Sequence, residues 1–161
     1  MTKKELNKIV TTQLRKFGIT KAKVDREFEY DYETDIIKFS TIPDLTDKLF
    51  SQFLLDRFDY VDKYPFTMSL LHELGHRENN DDIEDDILAF CLGEKYKIQI
   101  DINDADITDD NRIQNLYYRY FSLPDELMAT AWAVNYANSH KKEIKEMEKI
   151  FRKALKEYNG F

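Results

Sequence analysis

The sequence predicts an α+β protein that is mainly helical and has a small antiparallel sheet formed by one β-hairpin. Apolar residues recur at helical spacing along most of the 161-residue chain, and alternation of apolar and polar residues is confined to short stretches. Only four residues are Gly and three are Pro, so long irregular segments are not expected. A chain of this length is expected to form one domain, residues 1–161, around an apolar core.

The first predicted element is an N-terminal amphipathic helix within residues 1–18. Thr2 and Glu5 have the spacing of a capping box, and the residues after them are apolar at helical intervals. Gly18 offers a stop, so the helix should span about residues 3–17.

The β-hairpin is predicted next. Apolar and polar residues alternate over residues 24–30 and again over residues 37–40, on either side of a polar turn at residues 31–35. Pro43 ends this pattern, and helical spacing over residues 45–58 predicts a second helix.

A third helix should open near Pro65 and end near Asn79. It contains Gly75, which costs about 1 kcal/mol relative to alanine inside a helix. The missing side chain would let another backbone, or a substrate, come close at this point.

The stretch that follows is strongly acidic. Residues 81–92 predict a helix closed by Gly93, and the alternation over residues 96–100 predicts a short strand. Residues 101–106 have the acidic composition of a calcium loop, but Asp106 stands where the turn glycine is required. An EF-hand is therefore excluded.

Three more helices complete the chain. Helical spacing predicts one helix over residues 113–121, and Pro124 opens a second that should reach about Ser139. A C-terminal helix is predicted over residues 141–158. There is no internal repeat.

Charge is unevenly distributed along the chain. Residues 1–23 carry seven Lys or Arg against one Glu, and residues 141–161 carry seven against four acidic residues. Residues 24–140 carry ten basic and twenty-six acidic side chains. Because phosphate binding requires a concentrated positive surface, this acidic middle argues against nucleic acid as a partner.

The chain has features of a cytoplasmic protein. Its one cysteine, Cys91, cannot form an intramolecular disulfide and has apolar neighbours, which predicts a buried structural thiol. No run approaches 18 apolar residues, and the N-terminus has no apolar signal core, so no membrane association is expected.

One short stretch combines residue types and spacing that together specify a chemistry. It reads His72-Glu73-Leu74-Gly75-His76, an H-E-x-x-H motif with two of the three histidines in the chain. On a helix, positions i and i+4 share one face, so two imidazoles at this spacing can bind one Zn²⁺. The glutamate can then act as general base toward an activated water, as in zinc metallopeptidases.

Catalytic zinc usually takes three protein ligands, so a third group is needed outside the motif. Histidine offers only His140, at the end of a predicted helix. The best carboxylate is Glu126, which shares one face of its predicted helix with Ala129 and Ala133. Small residues on that face would let this helix pack closely on the motif helix and bring Glu126 to the metal.

These two segments resemble the ImmA/IrrE-type zincin-like metallopeptidases of phages and mobile elements, whose second motif reads E-x-x-A-N-x-F-A. The matching residues here are Glu126, Ala129 and Ala133. The chain departs from that pattern at Thr130, where the family has Asn, and at Trp132, where it has Phe. It also has a longer acidic insertion between the two motifs.

The resemblance covers about residues 24–140 and implies a zincin-like fold with the sheet beside the motif helix. It implies Zn²⁺ held by His72, His76 and Glu126, and Glu73 as the catalytic general base of a zinc metallopeptidase. Some members of the family act on or with repressor proteins. A protein or peptide substrate, such as a repressor-like regulator in a phage or bacterial setting, is therefore expected.

A metzincin pattern, H-E-x-x-H-x-x-G-x-x-H, would place the third ligand differently. Asp82 stands at that ligand position, and Asn79 replaces the glycine at a turn that requires left-handed backbone. Asp82 also belongs to an acidic run whose ordinary role is a solvated helix start. We rank Glu126 first as third ligand, Asp82 second and His140 third.

Amide hydrolysis needs one further donor to stabilise the oxyanion, and the sequence does not choose among several candidates. They are Tyr117, Tyr118, Arg119, Tyr120, Tyr136 and His140, of which Tyr117 and Tyr120 also fit the apolar stripe of their predicted helix and are expected to belong to the core. The alternative function, from a different class, is a non-catalytic zincin-like module that binds a partner protein. Glu73 argues against it, because a purely structural zinc site does not require a general base.

Overall fold

The computed structural model describes residues 1–160, which form seven α-helices and one three-stranded sheet. In chain order, the helices and strands are α1 (Lys3–Leu14), β1 (Ala22–Val24), β2 (Glu29–Asp31), β3 (Ile36–Phe39), α2 (Leu45–Phe58), α3 (Pro65–Asn79), α4 (Asp85–Asp104), α5 (Asp110–Phe121), α6 (Pro124–Ser139) and α7 (Lys141–Asn159). Short 3₁₀ helices extend α1 over Arg15–Phe17 and α3 over Asn80–Asp82. The predicted mainly helical architecture is confirmed.

Local sequence signals account for most helix ends. Thr2 and Glu5 form the predicted capping box of α1, and Gly18 adopts φ 84° just after the 3₁₀ extension. A second capping box, formed by Asp44 and Asp47, starts α2. Prolines occupy the first turns of α3 and α6, where the missing amide donor has no cost.

The sheet differs from the predicted hairpin in one respect. Strands β2 and β3 do form an antiparallel hairpin, but β1 pairs with the other edge of β3 in parallel, so the sheet is mixed. The predicted first strand is broken after Asp25, where the Arg26 amide donates to the Asp25 carboxylate. Such local capping favours a turn over continued pairing. The chain therefore leaves the sheet after β1 and returns as β2, which pairs with the opposite edge of β3.

Helix α1 covers the outer edge of β1. The amides of Ala22 and Val24 donate to the side chains of Thr11 and Asn7, respectively, at 2.9 and 2.8 Å. These bonds satisfy edge groups that would otherwise be free to pair with another chain.

The helix predicted from residue 81 does form, but it begins at Asp85, and the predicted glycine stop and the strand over residues 96–100 are wrong. A single helix, α4, runs through Gly93 and ends only at Asp104. The alternating apolar residues of the predicted strand point in different directions on this helix, and Ile98 is buried whereas Tyr96 and Ile100 are exposed. Periodicity alone cannot separate strand from helix over so short a run.

The core is divided into two parts. The main cluster surrounds α3 and includes the buried side chains of Leu71, Leu74 and Phe151. A small satellite cluster beneath α4 consists of Cys91, Ile98, Leu116 and Leu123. The expected burial of Cys91 is confirmed, and no helix within residues 1–160 is long and apolar enough to cross a membrane.

Candidate metal centre

Helix α3 places His72 and Glu73 in the wall of one cavity, with His76 next to His72. His72 and His76 lie one turn apart, with ring centroids 4.7 Å apart and Nε2 atoms separated by 3.2 Å. His72 and Glu73 are buried, although both reach the cavity wall. The local geometry of a helix is sufficient to bring the two imidazoles together.

Helix α6 supplies the third group because it packs unusually close to α3. A Cβ built on Gly75 would lie 2.4 Å from the carbonyl oxygen of Ala129, a distance that no real side chain could occupy. Ala129 and Ala133 are fully buried at this contact. The expectation that Gly75 admits another backbone is confirmed, and small residues on α6 complete the close approach.

The contact places Glu126 against both histidines. Its Oε2 lies 2.7 Å from Nε2 of His72 and 3.3 Å from Nε2 of His76. Ligand atoms at zinc distances from one tetrahedral Zn²⁺ are about 3.3 Å apart. Two neutral imidazoles and one carboxylate are also the donor set of many catalytic zinc sites, so these residues fit the ion.

Among residues 1–160, these three side chains are the one cluster of metal-ligating groups close enough to share an ion. The same side chains also lie within hydrogen-bond distance of one another, Oε2 of Glu126 with Nε2 of His72 and Oε1 with Nε2 of His76. The arrangement is therefore compatible with metal binding and is also held together by its own charges.

Electrostatics couples the three groups. Burial alone would raise the pKa of Glu126, but the imidazoles of His76 and His72 outweigh it and hold that pKa well below its usual range. Burial lowers the pKa of His76, yet the Glu126 carboxylate more than compensates and raises it to about 9. Metal binding would therefore have to displace a proton from His76.

Further polar contacts hold the His72 ring in place and join α3 to α6. Nδ1 of His72 lies 3.0 Å from the hydroxyl of Thr130, one helical turn after Glu126. Asn79 donates to the carbonyls of Gly75 and Met128 and so joins α3 to α6. Asn79 has ordinary right-handed backbone, so the turn required by the metzincin interpretation is not formed.

The other third-ligand candidates lie elsewhere. Asp82 is exposed in the 3₁₀ turn after α3. His140 is exposed and stacks on the ring of Tyr136, with centroids 4.0 Å apart and Nδ1 directed to the Tyr136 carbonyl oxygen. Of the three ranked candidates, the structure brings Glu126 to the histidines.

Glu73 is attached to the sheet. Its Oε2 accepts a hydrogen bond of 2.8 Å from the backbone amide of Tyr30 on β2. This contact spans 43 residues of sequence and fixes the carboxylate beside the histidines. The motif does not predict this hydrogen bond between Glu73 and the Tyr30 amide, because a backbone amide donor has no sequence signature.

The cavity beside the cluster has a volume of about 210 Å³. Its wall includes His72, Glu73 and Glu126 from the motif helix and α6, and Tyr117 and Tyr120 from α5. Apolar and polar groups therefore face a common space, as in small-molecule and peptide-binding clefts.

The candidate oxyanion donors divide into two groups. Tyr117 and Tyr120 line the cavity. The hydroxyls of Tyr118 and Tyr136 instead donate to Asp56 and Glu143. The remaining two candidates, Arg119 and His140, are not part of the cavity wall.

Lys95 is the residue that sequence analysis missed. Its Nζ lies 2.8 Å from Oε1 of Glu126 and 2.5 Å from Oδ2 of Asp125, and 5.4 Å from the centroid of the Tyr120 ring. The sequence places Lys95 between a predicted helix and a predicted strand, 31 positions before Glu126. No local pattern indicates that a lysine so placed reaches the site.

Comparison with known proteins gives no match. No family model matches the chain, and no curated protein or solved structure is significantly similar to it.

Proposed function

We propose that this protein is a zinc-dependent metallopeptidase of the zincin-like, ImmA/IrrE type. The observation that supports this most strongly is the meeting of His72 Nε2, His76 Nε2 and Glu126 Oε2 within 3.3 Å of one another. Glu73, the expected general base, lies in the same cavity wall. The first two ligands and the base come from one helical turn, and the third comes from a helix packed directly against it.

His72, His76 and Glu126 would hold the ion. Zn²⁺, when bound, supplies Lewis-acid activation of water and of the scissile carbonyl. Glu73 would take the proton of the attacking water and deliver it to the leaving amine. Its hydrogen bond from the Tyr30 amide would hold the carboxylate in position through both transfers.

Tyr120 and Tyr117 are the candidates that remain near enough to donate to the oxyanion. Burial raises the pKa of Tyr120, and the nearby carboxylate of Glu126 adds to that shift. Its hydroxyl therefore keeps its proton at neutral pH, as a hydrogen-bond donor must.

The substrate class we propose is a short segment of a protein, such as a regulatory protein in a phage or bacterial setting. The cavity, at about 210 Å³, is smaller than typical drug-sized sites and suits one or two side chains of an extended peptide. Asp44, Asp47 and Glu27 lie in its wall with one arginine, Arg26. Basic peptides should be attracted more strongly than acidic ones.

The second candidate function is a non-catalytic module that binds a partner protein. It is favoured by the mutual ion pairs among Lys95, Glu126 and the histidines, which satisfy the cluster without an ion. A binding module would tolerate Glu73→Gln in a cellular assay, whereas a peptidase would not.

Metal content tests the site. Protein purified without chelator or affinity-tag nickel is expected to carry about one zinc per chain by elemental mass spectrometry. Glu126→Ala should lose it, and His140→Ala and Asp82→Ala, the matched controls, should keep it. Absence of zinc, with none taken up on addition, would contradict the proposal.

Glu73→Gln tests the chemistry separately from the metal. The amide oxygen of Gln can still accept the Tyr30 hydrogen bond, so the fold and the zinc content should be unchanged. Loss of the general base should lower hydrolysis of a fluorogenic peptide library at least about 100-fold. Activity within tenfold of the wild type would rule out the assigned role of Glu73.

A further inference from the structure

Lys95 is a largely covered cation that contacts a proposed metal ligand. Its side chain is only 17% exposed, although α4 is otherwise a surface helix. Burial lowers the pKa of Lys95, but the charge of Glu126 more than compensates and raises it above its usual value. Lys95 is therefore a permanent positive charge at the edge of the cluster.

Asp125 completes the arrangement. It is 2% exposed, accepts from Lys95 through Oδ2, and accepts from the Glu126 amide through Oδ1 at 2.9 Å. Lys95 and Asp125 together carry no net charge. Their pairing can therefore direct Glu126 by hydrogen bonding without adding a full positive charge beside an incoming cation.

Both oxygens of Glu126 lie near His76, but their other partners differ: Oε2 contacts His72 and Oε1 contacts Lys95. Oε2 lies 2.7 and 3.3 Å from Nε2 of His72 and His76. Oε1 lies 3.2 Å from Nε2 of His76 and 2.8 Å from Nζ of Lys95. Without Lys95, Oε1 would be free to join Oε2 in binding the same ion, since it already lies within ligand spacing of His76.

We propose that Lys95, paired with Asp125, is a positioning residue that restricts Glu126 to binding the metal through one oxygen. This inference rests on the proposed zinc site. A carboxylate held through one oxygen leaves the ion four-coordinate, with room for water, whereas a bidentate carboxylate would occupy a further position. Contacts of this kind orient metal ligands in many proteins and affect metal affinity strongly.

The alternative role for Lys95 is purely structural, as the charge pair that attaches α4 to α6. That role predicts a change in stability when Lys95 is replaced and no change in how a bound metal is coordinated. Coordination geometry therefore separates the two roles.

The test uses Co²⁺ in place of Zn²⁺, because the visible absorption of Co²⁺ reports its coordination number. The main variant is Lys95→Met with Asp125→Asn, which removes both charges and leaves no unpaired buried ion between them. The Asn oxygen can still accept from the Glu126 amide. Lys97→Met is the matched control, since Lys97 lies on the same helix, is exposed, and contacts Glu94.

Wild type and Lys97→Met should bind one Co²⁺ with the intense absorption of a four-coordinate ion. The double variant should bind about tenfold more weakly and show an absorption at least about twofold weaker, as expected for a fifth ligand. Circular dichroism checks that all three are folded. Lys95→Arg, which keeps the charge, should recover part of the wild-type absorption.

An unchanged Co²⁺ spectrum and affinity in the folded double variant would overturn the positioning role and leave the metal site intact. Failure of the wild type to bind Co²⁺ or Zn²⁺ would overturn the proposed function, and the positioning role with it. The two failures are therefore distinguishable.

Discussion

Helices α3 and α4 each contain a glycine in mid-helix, and the two glycines have opposite surroundings. A Cβ on Gly75 would overlap the backbone of Ala129, whereas a Cβ on Gly93 would meet nothing within 4 Å. The first glycine is required by tertiary packing and the second is not required by any contact within residues 1–160. A glycine in a helical pattern thus indicates close packing only in its three-dimensional context.

The same contrast extends to the whole of each helix. Every residue of α3 from Thr67 to Gly75 is buried, whereas Cys91 and Ile98 are the buried residues of the longer α4. The outward side of α4 exposes Phe90 and Tyr96. Even so, α4 contributes Lys95 to the candidate site, where its ammonium group contacts Asp125 and Glu126 of α6, the helix that packs against α3.

Gly75→Ala should disrupt the contact between α3 and α6 and destabilise the protein more than any other substitution considered for these two helices. The added methyl group cannot fit against the Ala129 backbone, so α3 and α6 must separate. We expect the free energy of unfolding to fall by about 3 kcal/mol, as for severe overpacking. Chemical denaturation measures this change.

Zinc content gives a second measurement on the same variant. Separation of α6 from α3 would move Glu126 away from the histidines, so Gly75→Ala should also lose bound zinc. A variant with wild-type stability and wild-type zinc would show that the close approach of the two helices is unnecessary.

Hydrogen exchange of the wild-type protein should show the difference in local stability between α3 and α4 directly. Amides of α4 are expected to exchange at least about tenfold faster than those in the buried half of α3, because few apolar contacts resist local opening of α4. Mass spectrometry of peptides from the exchanged protein resolves the two helices. Equal protection would mean that the satellite core around Cys91 holds α4 as firmly as the main core holds α3.

Gly93→Ala should have the smallest effect, and of opposite sign. Alanine is favoured over glycine in a helix by about 1 kcal/mol, and no neighbour opposes the added methyl group. We expect the free energy of unfolding to rise by about 0.5 to 1 kcal/mol, with zinc content unchanged. A loss of stability would indicate that Gly93 packs against something in solution.

The features that the sequence predicts correctly are those with local signals. The N-terminal capping box, the proline that opens α6 and the apolar periodicity of α7 are formed by residues within a few positions of one another. The prediction was wrong over residues 93–100, where Gly93 does not stop the helix and alternation over five positions fits a strand and a helix equally well. It also joined β1 to β2, because the side on which a strand pairs with β3 depends on residues distant in sequence.

The candidate site divides in the same way. By itself, the sequence determined that His72 and His76 would lie on one face, one turn apart, because hydrogen bonding within a helix fixes that spacing. Which of Glu126, Asp82 and His140 meets the two histidines follows from the packing of the helices, and Glu126 is the one that does. The physical reason is that this choice depends on how closely α6 approaches α3.

Lys95 is the clearest example of what only the tertiary structure decided. Its residue type and its neighbours in sequence give no indication of a role in the site. Lys95 reaches the candidate site because α4 packs on α5 and α6 and brings one ammonium group to two buried carboxylates. Local backbone geometry determines the spacing of residues within a helix, whereas contacts between helices depend on the packing of the whole core.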